Sequence, residues 1–162
     1  MLKLVKIKQA YTDYLRKYDN RVSYNSDYEY ERVYVGVLFK IKKDLLYFAP
    51  LTSSGKGKKL KEHPIRESIT FYPLRNCNLG GINFNNMIPV VNNAYQIIEI
   101  NKVTNIKFKL LYINQLREIN KNSKYIKVKA NLIYRLKIRH KLFPKYDKVT
   151  CNFKLFVVIC IL

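Results

Sequence analysis

The sequence predicts an α+β fold, in which a twisted, mainly antiparallel sheet carries packed helices within a single compact domain of residues 1–162. Three observations lead there. Apolar residues recur with the period of a strand through the first half of the chain, and with the period of a helix from Phe108 onward. The strand-like segments are joined by short connections, which favour antiparallel neighbours over crossovers. No internal repeat or low-complexity linker divides the 162 residues, and an apolar fraction of 48% is enough for one buried core.

Leu2 and Leu4 alternate with Lys3 and Lys6, so residues 2–7 read as a first strand. Tyr11, Tyr14, Leu15 and Tyr18 then fall at helical spacing within residues 9–18. The polar run 19–32, with Tyr24, Asn25, Ser26, Asp27 and Tyr28 clustered, reads as an extended surface loop, and long ordered loops in compact domains usually serve function. Residues 33–41 alternate Val33, Val35, Val37, Phe39 and Ile41 as one strand covered on both faces. Further strands are expected at 45–51, at 68–74 and around 80–90, where Gly80-Gly81-Ile82-Asn83-Phe84 leads into Met87-Ile88-Pro89-Val90.

Phe108, Leu111, Tyr112, Gln115, Leu116 and Ile119 share one helical face, with Asn120 to Asn122 as the stop. Ser123 is placed to cap a second helix bearing Ile126, Ala130, Leu132 and Ile133, which Pro144 would end. The apolar run 156–162 is far shorter than the ~20 residues of a spanning helix and reads as a buried last strand or an unusual tail.

Charge points to the class of partner. Thirty-one Lys and Arg face 11 Asp and Glu, a formal net of +20, and such a chain binds polyanions. Membrane-seeking segments gather their charge on one long amphipathic helix, whereas here lysines are spread through strands, loops and helices. Nucleic acid is therefore the expected partner and a membrane is not. Fourteen Tyr and 8 Phe interleave with the cations; most should pack in the core, and a few should offer stacking surfaces for unpaired bases. Cys77, Cys151 and Cys160, odd in number and without CxxC spacing, read as free thiols of a reducing cytosol.

The segment richest in chemistry is Ala49-Pro-Leu-Thr-Ser-Ser-Gly-Lys-Gly-Lys-Lys-Leu-Lys61, directly after a strand. It sets the hydroxyls of Thr52 and Ser53 beside Gly55, Gly57 and a dense group of ammonium ions. Each has a plainer reading, as turn-satisfying hydroxyls or a solvated charge run. Only two histidines, His63 and His140, occur, and no HExxH or grouped carboxylates; GxSxG and GxxxxGK[ST] are also absent. Metal ligation, triad hydrolysis and P-loop chemistry are thus unsupported, and no cofactor is implied. RNA cleavage fits what remains, because the ribose 2′-hydroxyl supplies the nucleophile. The protein need only move protons and stabilise charge on the phosphorane. Lys56, Thr52, Ser53 and the amides freed by the glycines are the candidates, with Tyr28 or Arg32 reaching in from the preceding loop. A catalytically inactive basic RNA-binding module is the alternative, and a DNA-directed toxin action a distant third.

Several segments together resemble the ToxN/AbiQ family of endoribonuclease toxins from type III toxin–antitoxin systems. They are Tyr11-x-x-Tyr14-Leu15 with Asp19 and Val22, Tyr34-Val-Gly-Val-Leu38, Tyr47-Phe-Ala-Pro-Leu-Thr-Ser53, Gly81-Ile-Asn-Phe-Asn-Asn-Met-Ile-Pro-Val90, Leu111-Tyr112-x-x-Gln115-Leu116-x-x-Ile119 and Cys151-Asn-Phe-Lys-Leu155. The resemblance implies a fold similar to Kid, MazF and CcdB toxins and cleavage of cellular RNA. It also implies silencing by a small repetitive pseudoknot RNA, with three toxins and three RNAs in a closed ring. By matching position it places the active-site groups on Tyr11, Tyr28, Arg32, Thr52, Ser53 and Lys56. Apart from that resemblance, Tyr11 and the lysines Lys58, Lys59 and Lys61 are expected to contact RNA. Ser54 stands where the family reads Pro, and Gly55 is an added residue, so Lys58 and Lys59 are alternative positions for the functional lysine.

Overall fold

A computed structural model describes residues 1–27, 30–42, 44–52, 60, 62 and 64–160. Its centre is strand β6 (Leu45–Thr52), preceded in the chain by β1 (Lys3–Ile7), helix α1 (Gln9–Arg16), β2 (Ser26–Asp27), β3 (Tyr30–Glu31), β4 (Val33–Gly36) and β5 (Lys40–Lys42). β7 (Phe71–Pro73), β8 (Gly81–Asn83), β9 (Ile88–Val90) and β10 (Tyr95–Ile97) follow. The chain then turns helical in α2 (Ile106–Lys121), α3 (Ser123–Ile138), α4 (Pro144–Asp147) and α5 (Phe153–Ile159). No helix among the described residues is long and apolar enough to cross a membrane.

Eight strands form one antiparallel sheet with the path β10-β1-β4-β6-β8-β7, and β5 and β9 also pair with β6. Every residue from Leu45 to Leu51 is buried, because β6 is flanked on both edges and covered on both faces. One edge takes β4 (Tyr34 opposite Pro50) and β5 (Lys40 opposite Leu46). The other takes β8 (Thr52 opposite Gly81) and β9 (Tyr47 opposite Pro89). A strand so enclosed has no polar face to alternate, which is why its sequence is a continuous apolar run.

Much of the tyrosine content is core. Phe39 stacks on Tyr47 with ring centroids 4.7 Å apart, Tyr47 meets Tyr134 at 5.2 Å, and Tyr134 stacks on Phe153 at 5.6 Å, so one aromatic cluster ties the central strand to α3 and α5. The three cysteines are free thiols.

Several sequence expectations are corrected. Residues 33–41 form two strands, and the intervening residues 37–39 still bond β6 through Leu38 N to Tyr47 O (2.9 Å) and Tyr47 N to Phe39 O (3.0 Å). Residues 156–159, expected as a last strand or an unusual tail, are helical: α5 runs from Phe153 to Ile159, with the Asn152 side chain accepting from Leu155 N and with Phe153 and Phe156 buried. Pro144 opens α4 and does not terminate α3, which stops at Ile138. Ser123 makes no capping bond, and Leu132 is exposed on α3, whereas Ile126, Ala130 and Ile133 are buried as expected. Asn120 lies inside α2; its side chain accepts from Leu2 N at 2.8 Å and donates to Leu2 O at 3.1 Å, anchoring the edge of β1. β10, too short to show a pattern, was not expected.

Candidate active site at the end of the central strand

Thr52 is the last residue of β6, half-buried, with Gly81 across from it. Gly81 must lack a side chain, since a Cβ there would lie 2.0 Å from Phe71 Cζ. On the other edge of β6, Tyr34 pairs with Pro50 and Val35 with Ala49. Arg32 immediately precedes β4 and Thr52 ends β6, so in this antiparallel pair the two residues, twenty positions apart in sequence, lie at the same end of the sheet.

Arg32 is held from the loop that precedes it. Its Nε donates to Tyr24 O at 2.6 Å and its amide to Asn25 O at 2.7 Å. Asn25 is itself buried and donates through Nδ2 to Ile7 O at 2.6 Å, at the end of β1. Burial pushes the Tyr34 phenol well above its ordinary pKa, and the charges of Arg32 and Arg16 partly oppose that rise, so both guanidinium groups bear on the same buried residue.

Residues 19–25, expected as the start of an extended surface loop, are partly anchored in the fold: Asp19, Val22 and Asn25 are buried while Tyr24 is exposed. Asp19 accepts from Arg21 Nε at 2.7 Å and Arg21 Nη2 at 3.0 Å, and from the amides of Arg21 at 3.0 Å and Asn152 at 2.6 Å. Burial raises its pKa, but the hydrogen bonds from Arg21 and Asn152 outweigh that and hold the carboxyl below the usual carboxylate value. Asn86 Nδ2 donates to Arg21 O, and Asn85 accepts from Thr150 Oγ1 at 2.9 Å. The Asp19, Asn85-Asn86 and Cys151-Asn152 motifs thus meet in one network that fixes the segment leading to Arg32.

Beside this network opens a groove of about 970 Å³, lined among others by Arg21, Asn83, Asn86, Lys145, Tyr146 and Lys148. Lys145 Nζ sits 4.8 Å from the Tyr146 ring centroid. β8 connects groove and strand end: Gly81 faces Thr52, and Asn83, two residues or about 7 Å further along, lines the groove. Sequence reading did not single out Lys145 and Lys148; in a chain with 31 cations no local signal marks them.

Tyr11 stands elsewhere. Its hydroxyl donates to Pro89 O at 2.8 Å and contacts Cys160 Sγ at 3.4 Å. Pro89 pairs with Tyr47, five residues or roughly 17 Å along β6 from Thr52. Burial first, then the bond with Cys160, raises the Tyr11 phenol far above its usual pKa. Tyr28, Ser53, Lys56, Lys58, Lys59, Lys61 and His63 lie outside the described residues. His140 is exposed with φ at 56°, just past the end of α3.

The chain matches, over residues 3–159, the family model of the toxin ToxN from type III toxin–antitoxin systems. It is 31% identical over 163 residues to the endoribonuclease AbiQ of Lactococcus lactis subsp. lactis, covering 95% of this chain and 85% of that one. It is 27% identical over 161 residues to the endoribonuclease ToxN of Pectobacterium atrosepticum, covering 95% and 89%. Among solved structures it superposes, with a TM-score of 0.80 and 29% identity over 98% of this chain and 95% of the other, on a protein solved in work on selective toxin inhibition by a non-coding RNA pseudoknot in type III systems. Matched by the family model along nearly its whole length and 31% identical to AbiQ, this chain is a member of the ToxN family of type III toxin–antitoxin toxins.

Proposed function

We propose that the chain is an endoribonuclease toxin that cleaves RNA without a metal ion. The ribose 2′-oxygen bonds to the adjacent phosphorus as the bond to the 5′-oxygen breaks. The 2′-hydroxyl proton is removed and a proton is delivered to the leaving 5′-oxygen. The products are a 2′,3′-cyclic phosphate and a 5′-hydroxyl. The observation that carries this reading is the placement of Thr52, the last residue of β6, and Arg32, just before β4, at the same end of the β4–β6 pair, immediately before Ser53 and the lysine segment, in a chain of net charge +20.

Each residue has a task in this scheme. Thr52 and Ser53 hold the phosphate and the attacking hydroxyl. Lys56 stabilises the charge growing on the phosphorane oxygens, and Lys58 or Lys59 is the alternative lysine. Arg32, fixed by Tyr24 O, positions the strand together with Tyr28. Donors pre-aimed in this way act without reorganising during reaction. Tyr11, with its hydroxyl engaged by Pro89, contributes to RNA binding through the part of its ring that stays accessible. Lys58, Lys59 and Lys61 contact the flanking backbone.

The related proteins are named endoribonucleases, and one of the superposed structures concerns inhibition by a non-coding RNA pseudoknot. That likeness supports a non-coding pseudoknot RNA as the inhibitor; a repetitive inhibitor RNA, a ring of three proteins and three RNAs, cellular RNA as substrate and the cytoplasm as the site of action are the further parts of this proposal. The whole of 1–162 acts as one toxin domain.

The experiment is incubation of the purified protein with RNA in excess EDTA. Scission is expected, and Ser53→Ala or Lys56→Ala should lower its rate by about 10²-fold or more while RNA binding persists. Binding without scission in the wild-type protein would instead mark a basic RNA-binding module.

A further inference from the structure

Between α1 and β2 lies an aromatic side chain that neither core packing nor the site described so far employs. Tyr24 is 55% exposed, although the residues around it, Val22 and Asn25, are buried. Its ring is nonetheless held. The guanidinium carbon of Arg16 sits 4.3 Å from the ring centroid, and Arg16 is itself fastened by Nη1 bonds to the carbonyls of Val22 and, at 3.5 Å, Asn20. A tyrosine backed by a cation and otherwise open to solvent is the kind of surface on which an unpaired base stacks.

Its position gives the ring a use. The carbonyl of the same residue accepts Arg32 Nε at 2.6 Å, and the next carbonyl accepts the Arg32 amide at 2.7 Å. A stacking surface and the anchor of Arg32, the cation just before β4, are thus mounted on one short piece of backbone, whose own place is fixed by Asn25 on Ile7 O. In the proposed function Thr52, Ser53, Lys56 and Arg32 engage phosphate and ribose, groups that do not distinguish an unpaired strand from a duplex; an exposed ring does, because only an unstacked base can lie on it.

We propose that Tyr24 is the stacking platform for one unpaired nucleobase of the RNA strand, beside the nucleotide at the cut, with Arg16 holding the ring in place. This rests on the endoribonuclease reading and adds to it a preference for single strands. Tyr24 acts by positioning the strand and takes no part in bond making. Stacking tolerates any base, so the contact restricts strand state more than sequence.

The test uses an RNA strand with a 2′-deoxy sugar at its mapped cut, so that binding is read without turnover, and with 2-aminopurine placed in turn at each flanking position. The wild-type protein should quench fluorescence at one of those positions. Tyr24→Ala should lose that quench and bind the single strand about 10-fold more weakly, with duplex RNA bound as before; Tyr24→Phe should keep both. Arg32 is held by the carbonyl of Tyr24 and not by its side chain, so both variants retain that anchor. Equal quenching by wild type and Tyr24→Ala, or a Phe variant that fails as the Ala variant does, overturns the proposal. Failure of the wild-type protein to cut unmodified RNA counts against the endoribonuclease reading alone: 2-aminopurine is then placed in turn at every position of the strand, and a quench that Tyr24→Ala loses and Tyr24→Phe keeps still scores the stacking contact.

Discussion

Asp19 illustrates how much of this site depends on one carboxylate remote from the chemistry. It accepts two bonds from the Arg21 side chain and two from backbone amides, one of them 133 residues away at Asn152. Removing its charge leaves a buried guanidinium contact and an amide poorly satisfied, and Asp19→Asn should cost about 1.5–3 kcal/mol of stability, measured by urea denaturation at neutral pH. The pH dependence follows from its direction of shift. A carboxyl whose folded pKa lies below the unfolded value of about 3.9 contributes its stability above that pH and loses it as pH falls through the folded value. The gap between wild type and Asp19→Asn should therefore stay constant from pH 7 to about 5 and shrink only below about pH 4. A gap that widened on acidification would contradict the network. Of this site the sequence marked Asp19, Thr52 and Arg32, but not the reason Arg32 is fixed. Tyr24 supplies a backbone carbonyl, and no side-chain pattern announces a carbonyl.

Elements were legible where burial produces a pattern longer than the element's own noise. β6 showed itself as seven apolar residues ending in Pro and hydroxyls, and α2 as six apolar or amide positions on one face, of which Gln115 and Ile119 are buried. β10 has three residues and an exposed edge, too few to show alternation. In residues 156–162 every position is apolar, and periodicity cannot separate a buried strand from a short helix. The cap was the available clue, since Asn152 accepts from Leu155 N. The alternation over 33–41 likewise hid a division at Gly36, where a Cβ would meet Phe48 Cδ1 at 2.2 Å. Gly81 makes the same kind of demand closer to the chemistry. Gly81→Ala should destabilise the protein by about 1–3 kcal/mol in thermal melts, by forcing Phe71 off its position on the neighbouring strand. Combining it with Phe71→Leu, which shortens the obstructing ring, should cost less than the sum of the two single changes. Additive losses would mean that the close approach at Gly81 is not what the sheet requires.

At the scale of the molecule, net charge decides what meets the surface and the fold decides where. A chain with 31 cations attracts any polyanion, and its exposed lysines and arginines are spread over strands and helices alike; what the fold adds is a groove of about 970 Å³ beside the Asp19 network, with Arg21, Lys145 and Lys148 in its lining. Affinity for RNA should fall linearly in logarithm with the logarithm of salt concentration. Lys148→Ala should reduce that slope by about 1 while weakening all RNA sequences alike. An unchanged slope would place the groove off the RNA path. The central claim is narrower than binding: the protein steadies a ribonucleotide while its own 2′-hydroxyl breaks the chain. The most direct measurement is cleavage, in EDTA, of two RNA strands that differ only by a 2′-deoxy sugar at the cut. The account predicts scission of the unmodified strand, with a 2′,3′-cyclic phosphate end, and none at the substituted position. Equal cutting of both strands at that position would contradict it.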